Sequence, residues 1–178
     1  IEEYERILLG KGMMKGVFVD EQLVAFRAFS VPEPEEDYLS EDAGIGEGER
    51  DQVIYSEISI VHPDYRGHAL QKQLGHALLE EIDKNRFRYV LATVAPFNIP
   101  SLKDKFYLGM NIVNLKEYYG GKLRYTFMKD LHKEEWIPPE NPVIVGMEDI
   151  TKQQEVLQSG YVGKSMFEKS GEWFVNYY

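Results

Sequence analysis

One stretch of the chain, residues 60–71, combines residue types that suit the binding of an anion. It reads Ile-Val-His-Pro-Asp-Tyr-Arg-Gly-His-Ala-Leu-Gln, so a strand ends, a tight turn follows and a helix begins. The first backbone N–H groups of a helix lack internal partners, and the helix dipole makes that end a good site for phosphate or pyrophosphate. Gly67 permits a sharp turn, and Arg66 can add a charge-assisted hydrogen bond to a phosphate oxygen. The residue types alone leave open an ordinary strand-to-helix turn with a solvated arginine.

The elements on either side must position this turn. Gln52–Val61 is typical of a strand, and it runs directly into His62-Pro63. Apolar residues then recur at helical spacing, at Leu70, Leu74, Ala77, Leu78 and Ile82. Tyr89–Ala95 is a short apolar strand. Because strand, helix and strand follow one another, the sequence predicts that the two strands are parallel neighbours.

A second helix and a hairpin come next. Pro100 at the first helical position and Gly109 just past the end predict the helix. Ile112–Tyr119 and Lys122–Leu131 predict two strands. Gly120-Gly121 between them is a signal for a two-residue hairpin turn.

The chain before the anion-binding stretch opens on a short helical segment. Glu2–Leu9 is compatible with the end of a helix that stops at Gly10, and Gly16–Val19 with Leu23–Phe29 predicts a hairpin. Val31–Asp51 carries nine acidic side chains, one arginine, two prolines and three glycines. This composition predicts an exposed loop, with a cation-attracting lip over a site as the alternative.

The C-terminal part of the chain has a different composition. Trp136–Pro142 is rich in proline and predicts a linker or crossover. A short strand at Val143–Val145 and a helix near Thr151–Gln158 follow. An aromatic hairpin then pairs Tyr161–Phe167 with Trp173–Tyr178. We expect this hairpin to cover a sheet edge, with capping of a substrate site or a homodimer interface as alternatives.

Composition narrows the classes of function. The chain has 178 residues, 43% of them apolar, which suffices for one sizeable core. It has no cysteine, which excludes disulfides, thiolate metal sites and a cysteine nucleophile. A net charge of −10 disfavours nucleic-acid and anionic-membrane partners and favours a cationic substrate. Without an apolar span or a signal-peptide pattern, we expect a cytoplasmic protein.

The anion-binding stretch resembles the acetyl-CoA signature of the GNAT N-acetyltransferase superfamily, bacterial type. That signature commonly reads V-x-P-x-Y-R-G-x-G-x-G or V-x-P-x-Y-R-G-x-G-L-Q. The matching residues are Val61, Pro63, Tyr65, Arg66, Gly67, Leu70 and Gln71. The sequence departs at Ala69, where glycine is usual, and at Gln71, where glycine or alanine is commoner. Both departures add a side chain near the cofactor but remove no backbone N–H.

A second motif agrees with the resemblance. GNAT proteins have an asparagine three residues before a small residue, then a helix that ends in glycine and an apolar residue. Asn98, Ser101, Gly109 and Met110 stand at the matching spacing. The resemblance extends over about residues 10–131 and implies that Asn98 hydrogen-bonds the pantetheine arm of CoA or nearby backbone. It also implies that the backbone of residues 60–61 pairs with the pantetheine amides.

The resemblance implies a site for acetyl-CoA as co-substrate and no metal; the four histidines show no ligand spacing. The implied cofactor-binding residues are Ile60, Val61, Arg66, Gly67, His68, Ala69, Leu70, Gln71, Asn98, Ser101 and Lys105.

The resemblance also implies catalytic residues. A general base usually lies on the strand before the turn of the anion-binding stretch, residues 62–69, which we call the cofactor turn. Strand alternation would place Tyr55, Glu57 and Ser59 on one face of that strand. Glu57 is therefore the candidate base, unless it only faces solvent or pairs with a cation. Many GNAT enzymes have a tyrosine acid seven residues after the asparagine, but this chain has Lys105 there. Tyr107 is the candidate acid instead, while Lys105 could contact a CoA phosphate.

The last hairpin of the family borders the acceptor pocket. Four residues of this chain could line it, or could simply pack in the strands: Tyr118, Tyr119, Arg124 and Tyr125.

The expected fold is α/β, with a GNAT-like mixed, mostly antiparallel twisted sheet flanked by helices and a short C-terminal helix plus hairpin extension. We assign residues 1–135 to a GNAT acetyltransferase domain and residues 136–178 to the extension. GNAT domains usually open with a strand and one or two helices, whereas Ile1 opens directly in a Glu-rich helical stretch. We therefore expect part of the N-terminal structure to be missing.

The predicted function is transfer of an acetyl group from acetyl-CoA to a primary amine of a small molecule or peptide, and the acidic composition favours a cationic amine. The alternative is a GNAT-fold module that binds or senses acyl-CoA without efficient transfer, which the departure at Ala69 and the lysine at position 105 motivate. A third class is an interaction protein that no longer binds CoA.

Overall fold

Nine strands form one sheet in the described part of the chain. The structure is a computed structural model that describes residues 5–34, 37–133 and 141–178. The strands are β1 (Gly12–Val19), β2 (Gln22–Ser30), β3 (Val53–Val61), β4 (Tyr89–Val94), β5 (Asn111–Tyr118), β6 (Lys122–Asp130), β7 (Val143–Gly146), β8 (Gly163–Lys169) and β9 (Glu172–Tyr177). The longer helices are α2 (Leu70–Glu81), α3 (Ile99–Tyr107) and α4 (Ile150–Gln158), and α1 (Leu39–Asp42) is a single turn.

The order of strands across the sheet is β1-β2-β3-β4-β6-β5-β8-β9-β7. β3 and β4 pair in parallel, and the other pairs are antiparallel. The predicted parallel neighbours and the three predicted hairpins are therefore confirmed. So is the expected fold class, a mixed and mostly antiparallel sheet flanked by helices.

The main core lies between the sheet and the helices α2, α3 and α4. Leu74 and Leu78 of α2 are buried, as the helical spacing predicted. They join a cluster with Leu102 of α3 and with Phe29 and Ile112, among others, from the helix-facing side of the sheet. Burying one such side chain stabilises the fold by roughly 1.5–3 kcal/mol. This cluster fixes α2 and α3 against the strands that border the candidate site.

The opposite face of the sheet is covered by the acidic segment between β2 and β3. The prediction of an exposed loop was wrong for part of this segment, because it contains α1 and a 3₁₀ turn at Glu47–Gln52. Leu39 and Ile45 are buried against Tyr55 and Leu91. Two buried apolar residues among nine acidic ones are too few to show periodicity, but they suffice to cover this part of the sheet.

The loop between β5 and β6 has three residues rather than the two predicted. Tyr118 pairs with Lys122, so Tyr119, Gly120 and Gly121 form the turn. All three have positive φ, at 49°, 76° and 94°. The glycines adopt this conformation freely, whereas a tyrosine there is unusual.

The C-terminal segment continues the same sheet. β8 pairs with β5 through Ile112 and Gly163. The hydroxyls of Tyr125 and Tyr177 both donate to Oε1 of the buried Gln153, at 2.7 and 2.8 Å. The aromatic hairpin therefore extends the sheet beyond β5 and shares its core.

Some predicted segments fall wholly or partly outside the described residues. The start of the predicted helical segment Glu2–Leu9 lies outside them, and so do residues 136–140 of the predicted linker. The described part of the first segment is helical to Lys11, with Gly10 at a φ of 96°. The boundary at residue 135 stays a prediction. Among the helices of the described residues, none has the length and apolar character needed to cross a bilayer.

Candidate functional site

The two parallel strands at the centre of the sheet separate after a short paired region. β3 and β4 pair only where Val53–Tyr55 meets Tyr89–Leu91. Beyond that point β3 stays with β2, and β4 stays with β6. A cleft therefore opens between Ser56–Val61 and Ala92–Val94. The strand edges that face this cleft offer backbone groups to a ligand, as an exposed sheet edge does.

A β-bulge changes which side chains face each side of the cleft. Phe29 pairs with Ser56 and Ala28 pairs with Ile58, so Glu57 is an extra residue on β3. Bulges commonly redirect a side chain next to a functional site. Ser59 lies opposite Arg27 on the helix side, so the predicted common face of Tyr55, Glu57 and Ser59 was wrong for Ser59.

Glu57 lines a pocket of about 460 Å³ on the face that the acidic segment covers. Its Oε2 accepts a hydrogen bond from Ser30 Oγ at 2.9 Å. Tyr55 lines the same pocket and donates to Asp37 Oδ1 at 2.7 Å. Burial, and then this bond to Asp37, raises the pKa of Tyr55, which keeps its hydroxyl protonated. Glu57 is thus the carboxylate of β3 that an incoming ligand can reach.

Tyrosines form the rim of this pocket. Tyr38 lies 5.8 Å from Tyr118 and 6.0 Å from Tyr119, measured between ring centroids. Tyr119 is 53% exposed, and its hydroxyl lies 3.3 Å from Thr93 Oγ1 of β4. The left-handed turn at Tyr119 therefore holds an aromatic ring between the cleft and the pocket.

The structure separates the four residues predicted to line an acceptor pocket. Only Tyr119 of that group lines the pocket with Glu57. Tyr118 is buried, and its hydroxyl donates to Asp42 at 2.6 Å. Tyr125 packs in the core on the helix side, and Arg124 donates to the carbonyl of Leu123. For these three, strand packing is the role that the contacts support.

On the helix side of the sheet, the turn after β3 leads into an uncapped helix. α2 begins after Ala69, no side chain caps it, and its first turn holds no acidic residue. Gly67 has a φ of 82° and open space around it, and Arg66 is exposed. The first N–H groups of α2, at Leu70 and Gln71, therefore remain available to an anion.

His68 helps to hold this turn in shape. Its Nδ1 lies 3.2 Å from the carbonyl oxygen of Tyr65 and 3.1 Å from that of Arg66, so this nitrogen is the one that donates. Gln73 Nε2 donates to the carbonyl of His68 at 3.2 Å. Ala69 adopts a φ of 58°. A β-carbon in this left-handed conformation costs roughly 1–2 kcal/mol, so the turn keeps its shape at a cost.

Asn98 and Ser101 open the helix after β4. Asn98 Oδ1 accepts the backbone N–H of Ser101 at 3.4 Å, which caps α3. The neighbouring Phe97 donates its N–H to the sulfur of Met147 at 3.4 Å, with a φ of 64°. Lys103 Nζ lies 4.9 Å from the ring centroid of Trp173. The C-terminal segment thus supports the loop that carries Asn98, a contact that the sequence did not predict.

Lys105 points into the protein at the closed end of the cleft. Its Nζ donates to Ser56 Oγ at 3.2 Å and lies 3.5 Å from Asp104 Oδ2. Burial, and secondly Arg27, lowers the pKa of Lys105 to about 8. Its partners are therefore Ser56 and Asp104 rather than groups of the turn before α2, where a phosphate contact was expected.

Arg27 and Asp104 are functional candidates that sequence reasoning missed. Arg27 Nη1 lies 3.0 Å from Asp104 Oδ2 and donates to the carbonyl of Gln71 at 3.2 Å, and Nη2 donates to Ser56 Oγ at 3.1 Å. The only available signal was an arginine within the apolar run Leu23–Phe29.

Tyr107 does not join Glu57. Its ring is 51% exposed and contacts His76 at 5.2 Å and the Nζ of Lys72 at 4.2 Å, each measured to the Tyr107 ring centroid. It lines a separate pocket beside α2. Two residues along a helix correspond to about 200°, so Tyr107 and Lys105 face opposite ways. The two predicted catalytic residues are therefore on different surfaces.

A mixed sheet whose central parallel strands splay apart, with a helix beginning after each, is the arrangement found in GNAT acetyltransferases. The chain has this fold, and three solved structures support the assignment. The proposed acetyltransferase yncA from Salmonella typhimurium, with its cofactor acetyl-CoA, has a TM-score of 0.55 at 15% identity, covering 78% of this chain and 74% of that chain. Ribosomal-protein-alanine N-acetyltransferase from Brucella melitensis has 0.53 at 16% identity, covering 73% and 75%. The acetyltransferase of GNAT family from Streptococcus pneumoniae has 0.52 at 12% identity, covering 68% and 67%.

At these identities the likeness concerns the fold. No protein-family profile matches the sequence, and no curated protein matches it.

Proposed function

We propose that this protein is an N-acetyltransferase that transfers an acetyl group from acetyl-CoA to a primary amine of a small molecule or peptide. The observation that carries the proposal is the splayed edge of β3, which leads directly into the uncapped N-terminus of α2. A strand edge suits an extended amide chain, and a helix N-terminus suits a pyrophosphate. CoA carries its pantetheine amides and then its pyrophosphate in the same order, counted from the sulfur.

The residues present fit acetyl-CoA. The backbone of Ile60 and Val61 would pair with the pantetheine amides, and the N–H groups of Leu70 and Gln71 would hold the pyrophosphate, with Arg66 adding charge. Gly67 leaves open space at the turn, where a β-carbon would meet nothing within 4 Å. When bound, acetyl-CoA supplies a thioester whose carbonyl carbon an amine can attack.

Glu57 performs the proton transfer in this proposal. The bulge presents its carboxylate to the pocket, and Ser30 Oγ orients it by a hydrogen bond of 2.9 Å. An amine that enters the pocket loses its proton to this carboxylate, directly or through one water. The acetyl group would lie between the strands, so amine and cofactor approach from opposite faces of the sheet.

The pocket carries charges of both signs. Arg6 and Lys11 line it and lie 3.1 and 3.9 Å from Glu33. Tyr38 and Tyr119 add aromatic surface at its rim. These features suit an amine attached to an apolar or aromatic body and do not select a cation strongly. We therefore propose the acceptor only as a primary amine.

The experiment is a screen for amine-dependent release of the CoA thiol. The purified protein is incubated with acetyl-CoA and a panel of primary amines, amino acids and N-terminal peptides, and free thiol is measured. Tertiary amines of matched size serve as controls because they cannot form a stable amide. Thiol release with a primary amine, and an acetylated product by mass spectrometry, would support the proposal.

The second candidate is a module that binds acyl-CoA without transferring the acyl group. Its support is the left-handed Ala69 in the cofactor turn and the distance in the fold between Tyr107 and Glu57. It predicts CoA binding with no thiol release for any amine in the panel.

A further inference from the structure

Four polar side chains are buried together where β3 and β4 separate. Arg27, Ser56, Asp104 and Lys105 are 0%, 7%, 2% and 6% exposed. They come from β2, β3 and α3, so three elements converge on this point. Ser56 Oγ accepts from both Arg27 and Lys105, at 3.1 and 3.2 Å.

The cluster carries more positive than negative charge. Within the described ranges, Asp104 is the one carboxylate that lies within ion-pair distance of Arg27 and Lys105. Arg27 holds Asp104 more closely, at 3.0 Å against 3.5 Å for Lys105. When both bases are protonated, one positive charge is therefore uncompensated. Burying such a charge is costly unless an anion arrives to pair with it.

The location of the cluster identifies where that anion would be. Ser56 directly follows Tyr55, the last residue of β3 that pairs with β4. Lys105 Nζ therefore reaches the first residue of β3 that faces the open cleft. The next residue, Glu57, faces the 460 Å³ pocket on the other side of the sheet, where the amine is proposed to enter. Lys105 and Glu57 thus approach the same point of the cleft from opposite faces.

This further inference rests on the proposed function. We propose that the ammonium group of Lys105 contacts the sulfur of CoA, stabilises the departing thiolate and donates a proton to it. In acetyl transfer the nitrogen–carbon bond forms and the carbon–sulfur bond breaks, and the electron pair of that bond stays on sulfur. For an amine that enters as the uncharged base, Lys105 gives one proton to sulfur, and Glu57 receives one from the nitrogen. Solvent then restores both groups, so the proton balance closes.

The other members of the cluster position Lys105. Ser56 Oγ, which accepts a hydrogen bond from Arg27, orients the ammonium group of Lys105 from β3. Asp104 holds the same ammonium group from α3. Arg27 keeps Asp104 paired and adds its own positive charge beside Lys105. Burial and Arg27 lower the pKa of Lys105 to about 8, which suits a group that donates a proton near neutral pH.

The test is the ionisation of the CoA thiol in the binary complex, followed by the ultraviolet absorbance of the thiolate as pH is varied. The proteins are wild type, Lys105→Met and Lys105→Arg, with Lys103→Met as an exposed control on the same helix. Desulfo-CoA, which lacks the sulfur, supplies the baseline for each protein. The affinity of each variant for desulfo-CoA, together with its circular dichroism spectrum, also checks that the variant is folded.

We expect the bound thiol to ionise about one pH unit or more lower in wild type than in Lys105→Met, since a nearby opposite charge lowers an acid's pKa by about 1–3 units. Lys105→Arg retains most of the shift, and Lys103→Met retains all of it. Equal thiol ionisation in wild type and Lys105→Met, with CoA bound to both, would overturn this inference alone. If folded wild-type protein binds neither CoA nor desulfo-CoA, the proposed function fails and the inference fails with it.

Discussion

Gly75 of α2 makes room for the guanidinium group of Arg27. A β-carbon at position 75 would lie 2.6 Å from Arg27 Nη1 and 2.8 Å from Leu108 Cδ1. Helix propensity alone favours alanine over glycine by about 1 kcal/mol. Glycine at this position thus keeps a buried arginine beside Asp104.

We predict that Gly75→Ala lowers the free energy of unfolding by about 1–3 kcal/mol, the usual cost of overpacking a core. The measurement is urea unfolding followed by circular dichroism. Glu80→Ala, an exposed change on the same helix, is the control and should stay within about 0.5 kcal/mol of wild type. A Gly75→Ala protein more stable than wild type would show that the propensity gain outweighs the crowding.

Glu57→Gln should slow amine acetylation while acetyl-CoA binding stays unchanged. The amide keeps the size of the side chain but cannot accept the proton, so we expect a loss of about 10²–10⁴ in kcat. Glu33→Gln, another acidic change beside the pocket, is the comparison because Glu33 pairs with Arg6 and Lys11. A kcat for Glu57→Gln within twofold of wild type would exclude Glu57 as the base.

Arg66→Ala should weaken acetyl-CoA binding. A hydrogen bond to a charged group contributes about 1.5–3 kcal/mol, which corresponds to a Kd raised at least tenfold. Calorimetric titration measures the Kd for acetyl-CoA, with Arg86→Ala as an exposed control outside the cofactor turn. If the two variants bind acetyl-CoA equally well, Arg66 does not contact the pyrophosphate.

The cofactor turn offers a matched pair of substitutions at left-handed positions. Ala69→Gly relieves a conformation that costs roughly 1–2 kcal/mol for an L-residue, and Gly67→Ala introduces the same cost. We expect the first to raise the melting temperature or leave it unchanged, and the second to lower it. Changes in the opposite directions would mean that the turn does not hold these backbone angles in solution.

Lys105 should make stability depend on pH in the alkaline range. Burial, and secondly Arg27, lowers its pKa to about 8 from 10.5, so the folded state releases this proton before the unfolded state does. The penalty for the buried charge is fully present below about pH 8 and is relieved as pH rises towards 10.5. The gain is of the order of a few kcal/mol, at about 1.4 kcal/mol for each pKa unit.

Lys105→Met isolates this effect, because tyrosine ionisation in the unfolded chain affects both proteins alike. The stability of wild type minus that of Lys105→Met should rise between pH 8 and pH 10 in urea unfolding. At pH 7 the variant should be at least as stable as wild type, since apolar replacement of buried charges is often neutral or favourable. If this stability difference does not change between pH 8 and pH 10, the side-chain amine of Lys105 is in contact with solvent.

The sequence predicted the elements whose signals are local. The apolar stripe of α2, the proline and glycine that bound α3, and the strands of the three hairpins are set by neighbouring residues, and each was confirmed. The bulge at Glu57 has no local signal, because it arises from the pairing of β3 with β2. It moved Ser59 to the side of Arg27 and kept Glu57 at the pocket.

The candidate site was predictable where a motif lies in one stretch of sequence. The strand–turn–helix order around Gly67 and the hydrogen bond of Asn98 to nearby backbone are of this kind, while the binding of acetyl-CoA at this turn stays a prediction. The cluster of Arg27, Asp104 and Lys105 was not, since its members are up to 78 residues apart (105 minus 27) and meet only when β2 and α3 pack together. Lys105 departs from the family pattern in the sequence, but its burial against Ser56 follows only from the fold.

The central claim is that the cleft between β3 and β4 binds acetyl-CoA, and the most direct measurement is thermal unfolding with and without that ligand. At a hundred times its Kd, acetyl-CoA should add about 2.7 kcal/mol of stability, a shift of several degrees. CoA should act similarly, ATP should not, and Arg66→Ala should reduce the shift. A well-folded protein whose melting temperature does not change with acetyl-CoA or CoA would contradict the account, whatever its fold.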